Sequence, residues 1–276
     1  MAGERAARKG KKPIVLQPRD EVIMAFVAEF RLLSRQQLQL LLDFPCITRI
    51  NIRLKKLYDH GYLQRRFLPT IMGKPQALYF LGPKGIINVA INTGIEALSL
   101  EKDRRHIRDH KDLFLNHQLF LNEVRIAFTL AIINHPQMSL ERWIRDCLIE
   151  FPTIEGGLAS FRPDGCFLLS YQARLYSFFI EVDCSTMTNG RLRSKANAYL
   201  NYARSGRSLQ DFGFRYFRVL IITKTRERLS NLKATIEGLS DRLFYFAVRD
   251  QIFCGSVLDQ IWHRAGRRGL FYLLEN

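Results

Sequence analysis

ITRINIRLKKLYDHGYLQRRFLP, residues 47–69, reads as a helix that turns directly into a strand. Ile47, Ile50, Leu54 and Leu57 recur at three- and four-residue spacing, the mark of one buried helical face packed on neighbouring helices. Gly61 follows the last turn, where a left-handed residue closes a helix. The opposite face carries Thr48, Arg49, Ile52, Lys55 and Lys56, with Asn51 and Arg53 at its margins. Arginine can read guanine with two donors, asparagine can read adenine, and lysine neutralises phosphate. Such a helix suits the major groove of duplex DNA. It equally suits a solvated surface, and a protein-docking module would offer Ile52 to its partner.

The flanking sequence sets this helix in a small domain. Upstream, Ile23, Phe26, Val27 and Phe30 keep helical spacing. Ser34 then opens a second helix, with Gln37 three residues on to complete a capping box and Leu38, Leu41 and Leu42 as its apolar stripe. Downstream, YLQRRFLP and ALYFLGPKG flank a turn at residues 72–75 and read as a hairpin. Arg65, Arg66 and Lys74 would lie on this wing, near the DNA backbone or minor groove. Three helices and a hairpin give winged-helix order over residues 20–102, behind a basic flexible arm at 1–19.

The charge balance points the same way. Forty-two Lys and Arg against 26 Asp and Glu leave a net charge of +16. Such a field attracts polyanions in a salt-dependent manner. Double-stranded DNA is the expected partner. No stretch approaches the ~20 apolar residues that span a bilayer, and the N-terminus lacks the apolar segment of a signal peptide. The five cysteines are odd in number and scattered without a CxxC pair, which fits a reducing cytoplasm and argues against a zinc site.

Residues 103–276 read as a second domain, opening on the charged run DRRHIRDHKD (103–112). A long helix over 110–134 places Leu113, His117, Phe120, Leu121, Val124 and Phe128 on one face. Strands are expected at 143–151, 165–171, 175–184, 215–223 and 243–248, and helices at 190–204, 226–238 and 256–264. Strands first, then strand and helix in alternation, predict a mixed sheet flanked by helices, so the chain is α/β (α+β) overall. Within SFFIEVDC (177–184), alternation sets Glu181 and Asp183 on one face, opposite Phe178, Ile180, Val182 and Cys184. A hairpin would bring Asp164, in RPDG (162–165), close to Glu181. Clustered carboxylates suit Mg²⁺, which would make Asp164, Glu181 and Asp183 metal ligands. Paired acids facing water and an ordinary Pro-Asp-Gly turn account for the same pattern. Glu123 is a further candidate ligand or a solvated residue, His117 reads as a core histidine, and His106 and His110 have helical metal-ligand spacing within the charged run.

Taken together, RINIRLKKLYDHGYLQRR (49–66), ALYFLGPKG (77–85), HQLFLNEV (117–124), RPDG (162–165), FFIEVDCSTMTNGRLRSKANAYLNY (178–202) and FRVLIITKTRERLSNL (217–232) resemble the bacterial replication-relaxation family of plasmids and other mobile elements. The resemblance implies a winged helix joined to a PD-(D/E)xK nuclease-like domain. Asp164 then matches the first acid and Glu181 the second. The lysine expected two residues after that glutamate is replaced by Asp183, and Cys184 stands where an arginine is expected. Lys195, on the following helix, would take the lysine's place, with Arg191, Arg193 and Tyr199 beside it. The expected function is duplex DNA binding in replication, mobilisation or its regulation. Its partner would be a replication, relaxase or transposition protein, or a second copy in a homodimer. The alternatives are a Mg²⁺-dependent endonuclease, using Asp164, Glu181, Asp183 and Lys195 as catalytic residues, and a winged-helix transcriptional repressor.

Overall fold

The computed structural model describes residues 14–42, 44, 46–69, 75–153, 156–185 and 187–274. The chain forms two compact units, residues 1–115 and 116–276.

In the first unit, Pro18 at the first helical position opens α1 (Pro18–Phe30), so the last two residues assigned to the arm are helical. Ile23, Val27 and Phe30 are buried as the spacing predicts. A short strand β1 (Leu33–Ser34) leads into α2 (Arg35–Leu42). The capping box forms: Ser34 N–H donates to Gln37 Oε1 at 2.9 Å, and Gln37 N–H donates to Ser34 Oγ at 3.2 Å. Next comes α3 (Ile47–Asp59), followed by Gly61 at φ 80°, the left-handed position its sequence requires. β2 (Leu63–Leu68) and β3 (Gln76–Leu81) pair antiparallel, and β1 adds to β3, giving the order β1-β3-β2 of a winged helix. The wing tip, including Lys74, lies outside the described residues.

Two further helices, α4 (Pro83–Thr93) and α5 (Ala97–Asp109), complete this unit; α4 starts within the stretch expected to end the hairpin, and α5 takes in most of the charged run expected to open the second domain. The start of α4 lies directly on the turn after α3. A β-carbon on Gly85 would fall 2.1 Å from Tyr62 O, a contact only glycine avoids. The charged run is helical because its charges are paired locally, Glu101 holding both Arg104 and Arg105, while Leu100 and Ile107 are buried.

α6 (Asp112–Ile133) leads into the second unit. A six-stranded mixed sheet has the order β11-β10-β9-β8-β7-β4, formed by β4 (Met138–Ile144), β7 (Gly165–Tyr171), β8 (Arg174–Asp183), β9 (Arg218–Thr223), β10 (Phe244–Val248) and β11 (His263–Arg264). The β8–β9 and β9–β10 pairs are parallel and the rest antiparallel. A separate hairpin, β5 (Ile149–Pro152) with β6 (Leu158–Phe161), replaces the second half of the strand expected at 143–151. The break falls where Asp146 takes a positive φ of 53°.

Helices α7 (Asn189–Ser205), α8 (Ser208–Phe212), α9 (Arg226–Thr235) and α10 (Arg249–Cys254) complete the order. The helix expected at 256–264 is instead a turn running into β11, with Trp262 buried and its indole N–H donating to Val257 O at 2.8 Å. Two cores flank the sheet, and β8 contributes to both. Phe178, Ile180 and Val182 join Val124 and Phe128 of α6, whereas Phe179 joins Leu192 and Tyr199 of α7. Cys166 of β7 is fully buried on the α7 side, and burial pushes its thiol up to about 12.

Candidate nucleic-acid interface and carboxylate centre

The wheel of α3 divides as its sequence dictates, with two exceptions. Ile50, Leu54 and Leu57 are buried. Ile47, expected to pack with them, is instead 49% exposed at the first residue of the helix. Thr48, Arg49, Asn51, Ile52, Lys55 and Lys56 are all exposed on the other side. Among the described residues, Arg49 and Lys56 have no carboxylate partner, while Lys55 Nζ reaches Asp59 at 2.5 Å within the same helix.

Arg53 departs from this face. Its guanidinium forks onto both oxygens of Asp20, a fully buried carboxylate at the start of α1, and its Nη2 also donates to Val15 O at 3.2 Å. Asp20 Oδ2 accepts from Gln17 N–H at 2.8 Å as well, so one carboxylate caps α1 and pins α3. Arg66 is also engaged internally. Its Nη1 donates to the carbonyls of Ile107 at 3.2 Å, Arg108 and His110, and its Nη2 meets Asp112 Oδ1 at 2.7 Å. These bonds satisfy the open carbonyls at the end of α5. Arg65 remains exposed, stacked 4.2 Å from the Tyr58 ring centroid. The surface offered outward is therefore the α3 face with Arg65 beside it.

In the second unit, alternation along β8 aims Glu181 at α7, where Lys195 and Tyr199 stand one helical turn apart. Lys195 Nζ lies 2.5 Å from Glu181 Oε2, and Tyr199 OH donates to Oε1 at 2.5 Å. Asp164, just before β7, accepts from Val182 N–H at 2.8 Å and lies 3.2 Å from His117 Nε2. The expected core histidine is thus the partner of the first acid. Asp183 shares Glu181's strand face but pairs with Arg228 Nε at 2.7 Å and accepts from Met187 N–H at 3.3 Å. Glu123 pairs with Arg249 at 2.6 Å. His106 and His110 stack with ring centroids 3.6 Å apart. The Asp183–Arg228 and His117–Asp164 pairs were missed in the sequence because 45 and 47 residues separate their members and no spacing rule connects them.

Access falls off sharply across this cluster. The side chains of His117, Lys195 and Asp164 are 32%, 20% and 19% exposed, while Glu181 is 2% exposed. Burial pushes the Glu181 carboxyl up to about 7, and the charge of Asp164 adds to that, against the pull of Lys195. Burial is the largest influence on His117 and would lower it, but the hydrogen bond with Asp164 and the charges of Asp164 and Glu181 together carry it up. Burial likewise works against ionised Asp164, and the bond and charge of His117 carry it down overall. The result is a part-exposed His–Asp pair beside a carboxyl that exchanges its proton near neutrality.

The three acids do not fit a shared metal cage. Both oxygens of Glu181 are already bonded, Asp183 is held by Arg228, and among the described residues no group of three or more His, Cys, Asp or Glu side chains could hold an ion. What the cluster does offer is the Lys195 ammonium, beside an acid poised to give or take a proton.

No helix among the described residues is long and apolar enough to cross a membrane. No curated protein and no solved structure matches the chain. A family model described as replication-relaxation matches residues 24–215, well over half of the sequence and reaching from α1 past α8. The chain belongs to the replication-relaxation family.

Proposed function

We propose that the protein binds double-stranded DNA through α3, in the service of replication or mobilisation of a plasmid or another mobile element. The observation that carries this reading is the exposed α3 face, where Arg49 and Lys56 stand without an acidic partner among the described residues in a chain of net charge +16. The Asp20–Arg53 pair ties α3 to the start of α1, which fixes the position of the helix that carries this face. A replication, relaxase or transposition protein is the class of protein partner that this role requires.

Mobility shift and anisotropy with duplexes from the gene's own neighbourhood test the reading. If Arg49 reads a guanine edge, Arg49→Ala weakens specific binding by about 10- to 100-fold. If Lys56 neutralises a phosphate, Lys56→Ala lowers the salt slope by about 0.9 without changing sequence preference. Duplex affinity unchanged in both variants would remove α3 from the interface.

A second reading, a Mg²⁺-dependent endonuclease, is favoured by one observation: Lys195 reaches Glu181 from α7, as a lysine displaced from the strand would. The Asp183–Arg228 pair weighs against it by removing one of its three proposed ligands. Supercoiled plasmid nicked only with Mg²⁺ or Mn²⁺, and left intact by Glu181→Ala and by Lys195→Ala, would establish it. Retarded but uncut plasmid leaves the second unit as a binding platform.

A further inference from the structure

At the end of the β8–β9 region remote from Glu181, the second unit has a concavity of about 670 Å³ lined by four arginines and no acid. Arg204 comes from the last turn of α7, Arg218 is the first residue of β9, Arg215 precedes it, and Arg242 comes just before β10. Among the described residues none of the four forms an ion pair with a carboxylate. Arg204, Arg215 and Arg242 are exposed. Tyr216, 80% exposed, projects beside Arg215, whose guanidinium lies 5.7 Å from its ring centroid, and Arg218 lies 5.6 Å from Tyr176. The Tyr216 backbone is held, since its carbonyl accepts from Ser177 Oγ at 2.5 Å. An exposed aromatic ring on a fixed backbone offers a ready face for a base to stack on.

We infer that this arginine-lined concavity is a second nucleic-acid site, one that takes single-stranded DNA with a base stacked on Tyr216 and phosphates on Arg204, Arg215 and Arg242. Unpaired cations along a groove neutralise a backbone, and an aromatic face takes only a base that is free of its partner strand. A duplex hides its base faces, so it would use the arginines and not Tyr216. Tyr176 and Glu181 are five residues apart on β8, roughly 17 Å at ~3.3 Å per residue, so the site is separate from the carboxylate centre. It is also independent of the α3 reading, because it uses none of the same residues.

The test is fluorescence anisotropy of the full chain with fluorescein-labelled oligo-dT, carried out in an Arg49→Ala, Lys56→Ala background to silence α3. Tyr216→Ala is expected to weaken oligo-dT binding about tenfold, Tyr216→Phe to restore it, and Arg204→Ala with Arg242→Ala to weaken it and flatten its salt dependence. Oligo-dT bound equally by all variants, Tyr216→Phe behaving like Tyr216→Ala, or unlabelled duplex competing as well as unlabelled oligo-dT would each overturn the proposal. Failure of duplex binding in the unmodified protein would count only against the α3 reading.

Discussion

Asp20 in the first unit and Glu181 in the second are both buried carboxylates held by a single basic side chain, yet they are built for different ends. Asp20 meets a guanidinium whose planar fork covers both oxygens, and a backbone N–H occupies what remains. Glu181 meets a point charge on one oxygen and a phenol on the other, with Asp164 adding negative field nearby. A delocalised, always-charged partner makes a fixed joint, whereas an ammonium and a hydroxyl leave an acid that titrates. The difference separates a pin from a proton-exchanging group.

The largest expected effect tests the pin. Asp20→Ala strands the Arg53 charge at 12% exposure and should destabilise the first unit by about 3–5 kcal/mol. Both tryptophans, Trp143 and Trp262, lie in the second unit, so far-ultraviolet circular dichroism should register this loss while tryptophan fluorescence in urea changes little. A loss below about 1 kcal/mol would make Asp20 no different from a surface acid.

The next effect concerns the titrating acid. Because Glu181 holds its proton in the folded state up to about 7 and releases it near the ordinary carboxylate range when unfolded, the folded state binds the extra proton between those values. Stability of the second unit therefore falls as pH rises from about 4.5 to 7, by on the order of 2–3 kcal/mol from this group. His117, also raised, adds to the fall at the upper end of that window, and the lowered Asp164 contributes stability that is lost only in acid. Glu181→Gln should flatten the slope, read as urea midpoints by tryptophan fluorescence from pH 5 to pH 8. An equally steep slope in the variant would move the titration to another group.

The smallest effect sharpens the contrast further. Lys195→Met removes the positive charge that holds Glu181 down, so the carboxyl midpoint should climb further, by roughly one unit for about 1.4 kcal/mol of lost interaction. Carboxyl ¹³C chemical shifts followed against pH would record it. A midpoint that stays in place would show that burial, the Asp164 charge and Tyr199 set it without Lys195.

Much of the fold was legible because it rests on short-range rules. The Ser34–Gln37 box, the buried stripe of α3, the hairpin and the alternation along β8 are all statements about residues within a few positions of one another. The failures came where local signals mislead. Residues 103–109 read as no more than a charged run because their charges hid the one buried apolar position among them, Ile107, and 256–264 read as helical although Val257 and Trp262 are buried by a turn instead. The candidate sites were less legible. Composition marked Arg53 and Arg66 as surface cations, and only the fold shows that one is locked to Asp20 and the other to the end of α5. Lys195 at Glu181 was expected from family resemblance, but the diversion of Asp183 to Arg228 follows from strand and helix ends meeting across 45 residues.

Cys166 gives the second unit a built-in clock. With its thiol pushed up to about 12, the reactive thiolate at neutral pH is about one part in 10⁵, and no reagent can reach it while the sheet stays closed against α7. Its alkylation must wait for the core to open. The rate at which mass is added at Cys166, after the exposed Cys46 has reacted, is therefore a direct readout of how often the sheet and α7 part, measurable with or without DNA bound.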